Sequence, residues 1–163
     1  MVAFTVRKSN LFISLKNFVH YSYKNDCYMI KFNEIKVGDY LMAEYEGQQW
    51  WGEVTRLNGD EKQVCVATEV QDFWFTTEHL YPIALNDESL MMLNFSKEQQ
   101  GDGSIKYKKG AFRLVIPTEG NFENIDIWYR EDRRHHPAVK YVHQLQNYYH
   151  DMTKVHLTNA VMV

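Results

Sequence analysis

The first half of the chain alternates between apolar and polar positions in short runs, a pattern that predicts β-strands. Four runs lie between residues 34 and 81: "IKVGDYLMAEYEG", "QQWWGEVTRL", "EKQVCVAT" and "DFWFTT". Turn signals separate them, with Gly-Asp inside the first run, Glu46-Gly47 after it and "NGD" after the second. Strands this short, joined by tight turns, predict a small curled sheet or barrel.

A short helix is predicted where this strand pattern ends. Pro82 interrupts strand pairing, and Asn86 or Asp87 is suited to cap a helix because its side chain can accept a backbone N–H bond. Leu90 and Leu93 fall three residues apart, so we expect both to point inward from one helix face.

The following segment predicts strands again. The polar residues 96–104 predict a loop, and "IKYKKGAFRLVIP" predicts a hairpin that turns at Lys109-Gly110. "NIDIWYRE" predicts a further strand because its apolar and polar residues alternate, and we expect "EDRRHHP" to end it.

A C-terminal amphipathic helix is predicted from "HPAVKYVHQLQNYYHDMT", with Pro137 in its first turn. One apolar stripe has i, i+3, i+4, i+7 spacing: Ala138, Tyr141, Val142, Leu145, Tyr148, Tyr149 and Met152. We expect the polar residues of the segment on the other side: His143, Gln146, Asn147 and His150.

Aromatic residues occupy both faces of the predicted strands. Alternate positions share a face, so Trp50 and Trp51 cannot enter the same core. The assignment that buries most apolar surface places these residues inside: Trp50, Val54, Val64, Val66, Phe73 and Phe75. It leaves Trp51 and Trp74 outward, where Tyr40 or Tyr45 can join them. Two interpretations stay open: this face packs against the C-terminal helix, or it binds a partner as a peptide groove or a cation cage.

Composition narrows the class of protein. The 163 residues are 45% hydrophobic and 15% aromatic, which favours a compact fold over disorder. A net charge of −3 excludes a globally basic nucleic-acid-binding protein but leaves room for a local patch. Cys27 and Cys65 form no pairwise motif and suit a reducing cytoplasm. No apolar run reaches the roughly 20 residues that span a bilayer.

The first 28 residues differ from the rest, with four basic residues and one acid before a strand-like pattern begins at Met29. We expect an N-terminal extension over 1–29, a β-barrel over 30–81, and an α+β lobe over 82–158 that the C-terminal helix closes. The first segment is an appendage, an upstream reading-frame extension, or an edge strand or helix packed on the domain.

Two resemblances bear on this organisation. "VGDYLMAEYEGQQWWGEVTRL" resembles the opening of SH3-like barrels of the Tudor or KOW type, in which a Gly-Asp turn precedes a strand and the next strand carries a glycine near a bend. "PIALNDESLMMLNF" followed by "KYVHQLQNYYHDMT" resembles small uncharacterised proteins of Bacteroidetes prophages and mobile elements, over roughly residues 34–152. Asn94 stands where those proteins often have glycine. The resemblance implies an architecture and a genomic setting, and it carries no site residues.

Patterns that indicate catalysis or metal binding are missing from the sequence, which has no HExxH, GxSxG or phosphate-cradling glycine loop. His143 and His150 are about two helical turns apart, too far for one zinc ion. Cys65 and His79 are able to meet in space, but a cysteine between two valines is typical of a packed strand residue. We therefore expect no catalytic residue, metal or cofactor.

A local basic and aromatic segment, "WYREDRRHHPAVKYVH", combines cations with stacking surfaces, as nucleic-acid grooves do. The candidate contact residues are Trp128, Arg130, Arg133, Arg134 and Lys140. Glu131 and Asp132 interrupt the run, and surface charge clusters are commonly solvated. This segment supports the second of two expected functions, a nucleic-acid-associated accessory protein.

The first expected function is a cytoplasmic, non-enzymatic protein-interaction module encoded by a phage or mobile element. Its partner-binding residues are predicted to be Trp51, Trp74, Tyr40 and Tyr45 on the aromatic barrel face. The two functions differ in salt dependence, since counterion release makes nucleic-acid binding fall steeply with salt.

Overall fold

The computed structural model describes residues 28–135 and 138–159, which form two five-stranded antiparallel sheets and two α-helices. The architecture is mostly antiparallel sheet with a C-terminal helix and belongs to the α+β class. Of the expected N-terminal extension, only Tyr28 and Met29 lie within the described residues. Tyr28 stacks on Tyr141, with ring centroids 5.1 Å apart, and its hydroxyl donates to the Glu34 carboxylate at 2.5 Å.

The first sheet confirms the four predicted strands and adds a short fifth one. Its strands are β1 (Tyr40–Tyr45), β2 (Gln48–Asn58), β3 (Gln63–Ala67), β4 (Asp72–Thr76) and β5 (Leu80–Tyr81). They pair in the order β4-β3-β2-β1-β5, with a 3-10 turn at Thr77–His79 between β4 and β5. The sheet is open in its hydrogen bonding because β4 and β5 form its two edges.

Gly52 permits close approach of β2 and β3. A Cβ atom there would lie 2.3 Å from Val66 Cγ1 and 2.8 Å from the Ala67 carbonyl oxygen. The β2–β3 register also shifts between Val54 and Arg56, which bends and twists a strand. These features curl the sheet around a buried cluster: Ile30, Ile35, Leu41, Ala43, Val54, Val64, Val66, Phe75 and Leu80.

The second half of the chain forms the other sheet and both helices. Its elements are α1 (Asp87–Met92), β6 (Ser96–Gln99), β7 (Ile105–Lys109), β8 (Phe112–Ile116), β9 (Asp126–Tyr129), β10 (Asp132–His135) and α2 (Val142–Thr153). The strands pair in the order β10-β9-β8-β7-β6. The predicted hairpin turn at Lys109-Gly110 is confirmed.

Two polar segments form edge strands that were not predicted. Residues 96–99 pair with β7 as β6, so the loop prediction was wrong there. Residues 132–135 pair with β9 as β10, after a reversal at Arg130, whose φ is +56°. An edge strand exposes one side to water and tolerates charged residues throughout, so its sequence lacks the apolar alternation of an inner strand.

Helix α1 confirms its prediction. The Asn86 side chain accepts a hydrogen bond from the Ser89 N–H at 2.8 Å, and Leu90 and Leu93 are fully buried. Asn94 follows with a φ of +63°, a left-handed conformation that glycine and asparagine adopt more readily than other residues.

Helix α2 begins at Val142 with Tyr141 as its N-cap, so the predicted helical residue Ala138 lies before it, and Pro137, predicted in the first turn, lies outside the described residues. Its predicted polar side is also partly wrong, because His143 and Gln146 are buried. The Gln146 side chain accepts the Tyr40 N–H at 2.8 Å and donates to the Gly38 and Leu157 carbonyls at 2.9 Å each. The side-chain amide of Gln146 can be buried because backbone groups form hydrogen bonds with both its oxygen and its nitrogen.

The outer face of the first sheet joins the core of the second. Tyr40 is one of the buried residues of the second core, and Met42 and Trp51 pack against it. Tyr149 and Leu145 of α2 belong to the same core. Trp51 is therefore covered within the molecule, as the first of the two interpretations of the aromatic face expects.

Candidate protein-binding groove

The structure separates the four predicted partner-binding residues into two pairs. Tyr40 is 2% exposed and Trp51 is partly buried, so they do not form the predicted surface. The core that the second sheet forms with helix α2 covers both side chains, and its residues are far from them in sequence. Tyr45 and Trp74 are 50% and 45% exposed.

The Trp74 ring is already in contact with a cation of the same chain, the Arg56 guanidinium. Arg56, Cys65 and Trp74 lie directly opposite one another across β2, β3 and β4 on the outer face. The Arg56 guanidinium lies 5.3 Å from the Trp74 ring centroid, and its Nη2 lies 3.6 Å from the Cys65 sulfur. A cage of these aromatics for an external cation is therefore not formed on this face.

Tyr45 and Phe73 close one end of the curled first sheet. Their ring centroids are 5.9 Å apart with an interplanar angle of 20°, although Tyr45 lies on β1 and Phe73 on β4. In a flat sheet these strands would stand about 14 Å apart, three strand spacings. The sheet therefore curls until its first and fourth strands meet through their side chains.

A groove of about 610 Å³ lies beside this contact, between the tip of the β1–β2 hairpin and strand β4. Its lining includes Glu44, Tyr45, Glu46, Phe73, Trp74 and His79. Sequence reasoning did not place Glu44, Glu46 or His79 at a binding surface, and Phe73, predicted to lie inside, packs against the first sheet's core while it also lines the groove. The one local signal was "EYEG" before a turn, in which two acidic residues flank an aromatic residue along the chain.

The groove is negatively charged at its hairpin side. No Lys, Arg or His nitrogen in the described part of the chain lies within 4.0 Å of the Glu44 or Glu46 carboxylate. The Glu46 carboxylate also raises the pKa of the Tyr45 hydroxyl. Uncompensated carboxylates beside aromatic rings favour a cationic ligand.

Strand edges border the groove on both sides. β4 is an edge strand, so alternate residues direct backbone N–H and C=O groups away from β3. β5 pairs with β1 at Met42 and Ala43, so its pairing stops short of Glu44 and Tyr45. An extended segment in the groove would find backbone partners as well as aromatic rings.

The five predicted nucleic-acid contacts do not form one surface. Arg133 is bonded to Asp126 and lies over the Trp128 ring at 5.0 Å. Arg134 points to the opposite face of β10, where its Nη2 pairs with Asp132 at 2.8 Å. The remaining two lie apart from that strand: Arg130 in the β9–β10 turn, over its neighbour Tyr129, and Lys140 in the segment before α2. Strand alternation and local ion pairs separate charges that are adjacent in sequence.

Asp39 and His143 are buried ionisable groups that lie outside the groove. Asp39 is 3% exposed, and its Oδ2 accepts the Lys36 N–H at 2.8 Å and the Asn147 side-chain N–H at 3.1 Å. Burial nevertheless raises its pKa to about 7. His143 has no exposed surface, neither ring nitrogen has a hydrogen-bond partner among the described residues, and burial lowers its pKa to about 4.

Metal-ligand geometry is not found among residues 28–135 and 138–159, where no three His, Cys, Asp or Glu side chains are grouped to hold an ion. His150 instead stacks on His156 with ring centroids 4.4 Å apart, and Cys65 is buried and free. Neither helix in this part of the chain is long and apolar enough to cross a membrane. No family model, curated protein or solved structure matches the chain.

Proposed function

We propose that this protein is a non-enzymatic protein-interaction module whose groove binds an extended, basic peptide segment of a partner. The groove itself carries the proposal, because it combines exposed aromatic rings, two carboxylates with no cation close by among the described residues, and an edge of β4 that no described strand pairs with. Peptides that add a strand to a sheet edge gain affinity from backbone bonds and specificity from side-chain pockets. Glu44 and Glu46 select Lys or Arg at the peptide positions that face them.

The first sheet is proposed to be an SH3-like barrel. Three observations support this: the strand order β4-β3-β2-β1-β5, the bend of β2 beside Gly52, and the Tyr45–Phe73 contact between strands that are not neighbours. Closure through side chains leaves the gap between β1 and β4 unfilled by backbone hydrogen bonds, and the groove lies there.

Its setting is proposed to be the cytoplasm of a cell that carries the phage or mobile element encoding it. The resemblance of the α1 and α2 segments to Bacteroidetes prophage proteins supports the genomic origin. The left-handed backbone at Asn94 supports it further, because those proteins often have glycine at this position. The free, buried Cys65 is compatible with a reducing compartment.

The test is selection from a displayed library of random ten-residue peptides, followed by fluorescence anisotropy with the enriched peptides. We expect enrichment of Lys or Arg at alternate positions of extended sequences. Trp74→Ala and the double change Glu44→Lys/Glu46→Lys should each weaken binding at least about tenfold, since aromatic and charged groups at an interface centre commonly contribute more than 1 kcal/mol. Backbone amides of Phe73–Thr76 should shift in NMR spectra on binding.

Glu123→Lys is the matched control, because it reverses one exposed carboxylate in the segment before β9, away from the groove. It should leave peptide affinity within about twofold, as rim charges act mainly on association rate. Absence of any enriched peptide would contradict the proposal. Equal losses in Glu123→Lys and the Glu44/Glu46 variant would show non-specific charge attraction instead.

A nucleic-acid role requires a different surface from this groove. The five residues grouped by sequence lie on more than one surface, since Arg133 and Arg134 are on opposite faces of β10. The solvent face of the second sheet is a candidate surface for such a role.

A further inference from the structure

Four side chains form a continuous row across the solvent face of the second sheet. Strand register places Lys108 of β7 opposite Arg113 of β8, Arg113 opposite Trp128 of β9, and Trp128 opposite Arg133 of β10. We name these four residues the basic row. Directly opposed residues share a face, so the row runs perpendicular to the strands over about 14 Å.

The basic row contains a like-charge contact that the described residues do not neutralise. Lys108 and Arg113 are directly opposed, an arrangement that is destabilising in antiparallel sheets. Neither has a carboxylate oxygen within 4.0 Å among residues 28–135 and 138–159. Lys108 is exposed and Arg113 is partly exposed, so an external anion can reach both.

The other half of the row is held rigidly. Asp126 binds the Arg133 guanidinium through two nitrogens, and the guanidinium lies 5.0 Å from the centroid of the Trp128 ring. His135 contacts the same carboxylate at 3.0 Å. Arg133 is thereby fixed over the indole of Trp128, whose position on β9 is also opposite Arg113 of β8.

We propose that the basic row binds the sugar-phosphate backbone of single-stranded nucleic acid. Cations that alternate with an aromatic ring suit a chain of phosphates with bases beside it. The neighbouring row holds Glu98 and Asp126, and Lys106 there is already 3.8 Å from Glu98. Among the described residues, the basic row itself contains no carboxylate, and such a narrow row fits a single strand better than the wide, doubly charged surface of a duplex.

Fluorescence anisotropy with fluorescein-labelled oligothymidylate of 20 nucleotides tests this site on the full chain. We expect the logarithm of the binding constant to fall with the logarithm of salt concentration with a slope of about −1.4, for the two unpaired cations Lys108 and Arg113 at about 0.7 each, since Asp126 already neutralises Arg133. Lys108→Gln/Arg113→Gln should weaken binding about tenfold at low salt and reduce the slope to near zero.

Arg130→Gln/Lys140→Gln is the matched control, since it removes the same charge from two predicted contacts outside the row. It should keep the wild-type affinity and slope. Circular dichroism establishes that each variant is folded. None of these four substituted residues lines the groove. The outcome of the peptide-binding experiment is therefore independent of the outcome of this one.

Several results would overturn the proposal. One is equal loss in the Arg130/Lys140 control, which would place the contact outside the row. Another is tighter binding of the corresponding duplex than of the single strand. A polyglutamate of 20 residues that competes as well as the oligonucleotide would identify an acidic protein segment as the occupant instead.

Discussion

Tyr40 lies flat against Trp51, with ring centroids 5.1 Å apart and ring planes within 6° of parallel. The two residues are on neighbouring strands of the first sheet; Tyr40 belongs to the core formed with the second sheet, and Trp51 packs against it. Their stack therefore joins the two halves of the molecule. It is a structural contact that leaves Trp51 partly buried.

Replacement of Trp51 by Ala should destabilise the protein by about 2–4 kcal/mol, because loss of a large core side chain leaves a cavity beside Tyr40. Trp74→Ala is the matched control. Trp74 is 45% exposed and contributes mainly its contact with Arg56, so the loss should stay near 1 kcal/mol. Urea unfolding monitored by circular dichroism measures both. Equal losses would contradict the different burial of the two tryptophans.

Gly52→Ala should destabilise the protein by at least about 2 kcal/mol, because overpacking forces the backbone to shift. The new Cβ would meet Val66 Cγ1 at 2.3 Å, and the Ala67 carbonyl oxygen at 2.8 Å is backbone that cannot rotate away. Gly59→Ala is the control, since no atom lies within 4 Å of its Cβ position. Its effect should stay within about 0.5 kcal/mol. A similar melting temperature for both variants would show that β2 and β3 are not in close contact.

Asp39 should make the folded state less stable as pH rises from about 4 to about 7. Its pKa is raised from 3.8 to about 7 in the folded protein, so the folded state keeps a proton that the unfolded state releases. The stabilisation is complete below pH 4 and lost by pH 7, an effect of roughly 1–4 kcal/mol. Asp39→Asn should remove this slope, because an amide retains an acceptor for Lys36 and Asn147 but does not titrate. Urea unfolding across this pH range measures the slope, and an unchanged slope in the variant would refute the assignment.

His143 should make the folded state less stable as the pH falls, the opposite of the effect of Asp39. Its pKa is lowered from 6.5 to about 4, so acidification protonates the unfolded state first and stability falls as pH decreases from about 6.5 to 4. His143→Leu should remove this loss and keep neutral-pH stability, because neither ring nitrogen has a partner among the described residues. In the Asp39→Asn/His143→Leu double variant both contributions should disappear. If the two single variants changed the pH slope in the same direction, one assignment would be wrong.

Local chemistry made much of the fold predictable. The alternation and the turn residues predicted strands β1–β4 and the hairpin at Lys109-Gly110, since turn types depend on a few adjacent residues. Asn86 predicted the start of α1 for the same reason, as its cap is made with Ser89 three residues on. Edge strands β6 and β10 escaped prediction because partner strands, and not their own polar sequences, define them.

The candidate groove was only partly predictable. Alternation placed Trp74 outward, and it is exposed. Glu44, Glu46 and Phe73 lie in the groove because the sheet curls until Tyr45 meets Phe73, a contact between residues 28 positions apart that strand periodicity does not encode. The basic row was likewise not predictable from the sequence, because it exists only through the register in which four strands pair.

What the sequence by itself determined was the set of elements and which side chains alternate on each strand. Only the tertiary structure decided which of those faces is covered. Trp51 and Trp74 share a predicted face, but one is packed into a core and the other is open to solvent. Gln146 is on the predicted polar side of α2, yet it is buried because Tyr40, Gly38 and Leu157 satisfy its amide. The period of the sequence specifies the face of a strand or helix on which a side chain lies. Whether that face is buried depends on which other segment of the chain packs against it.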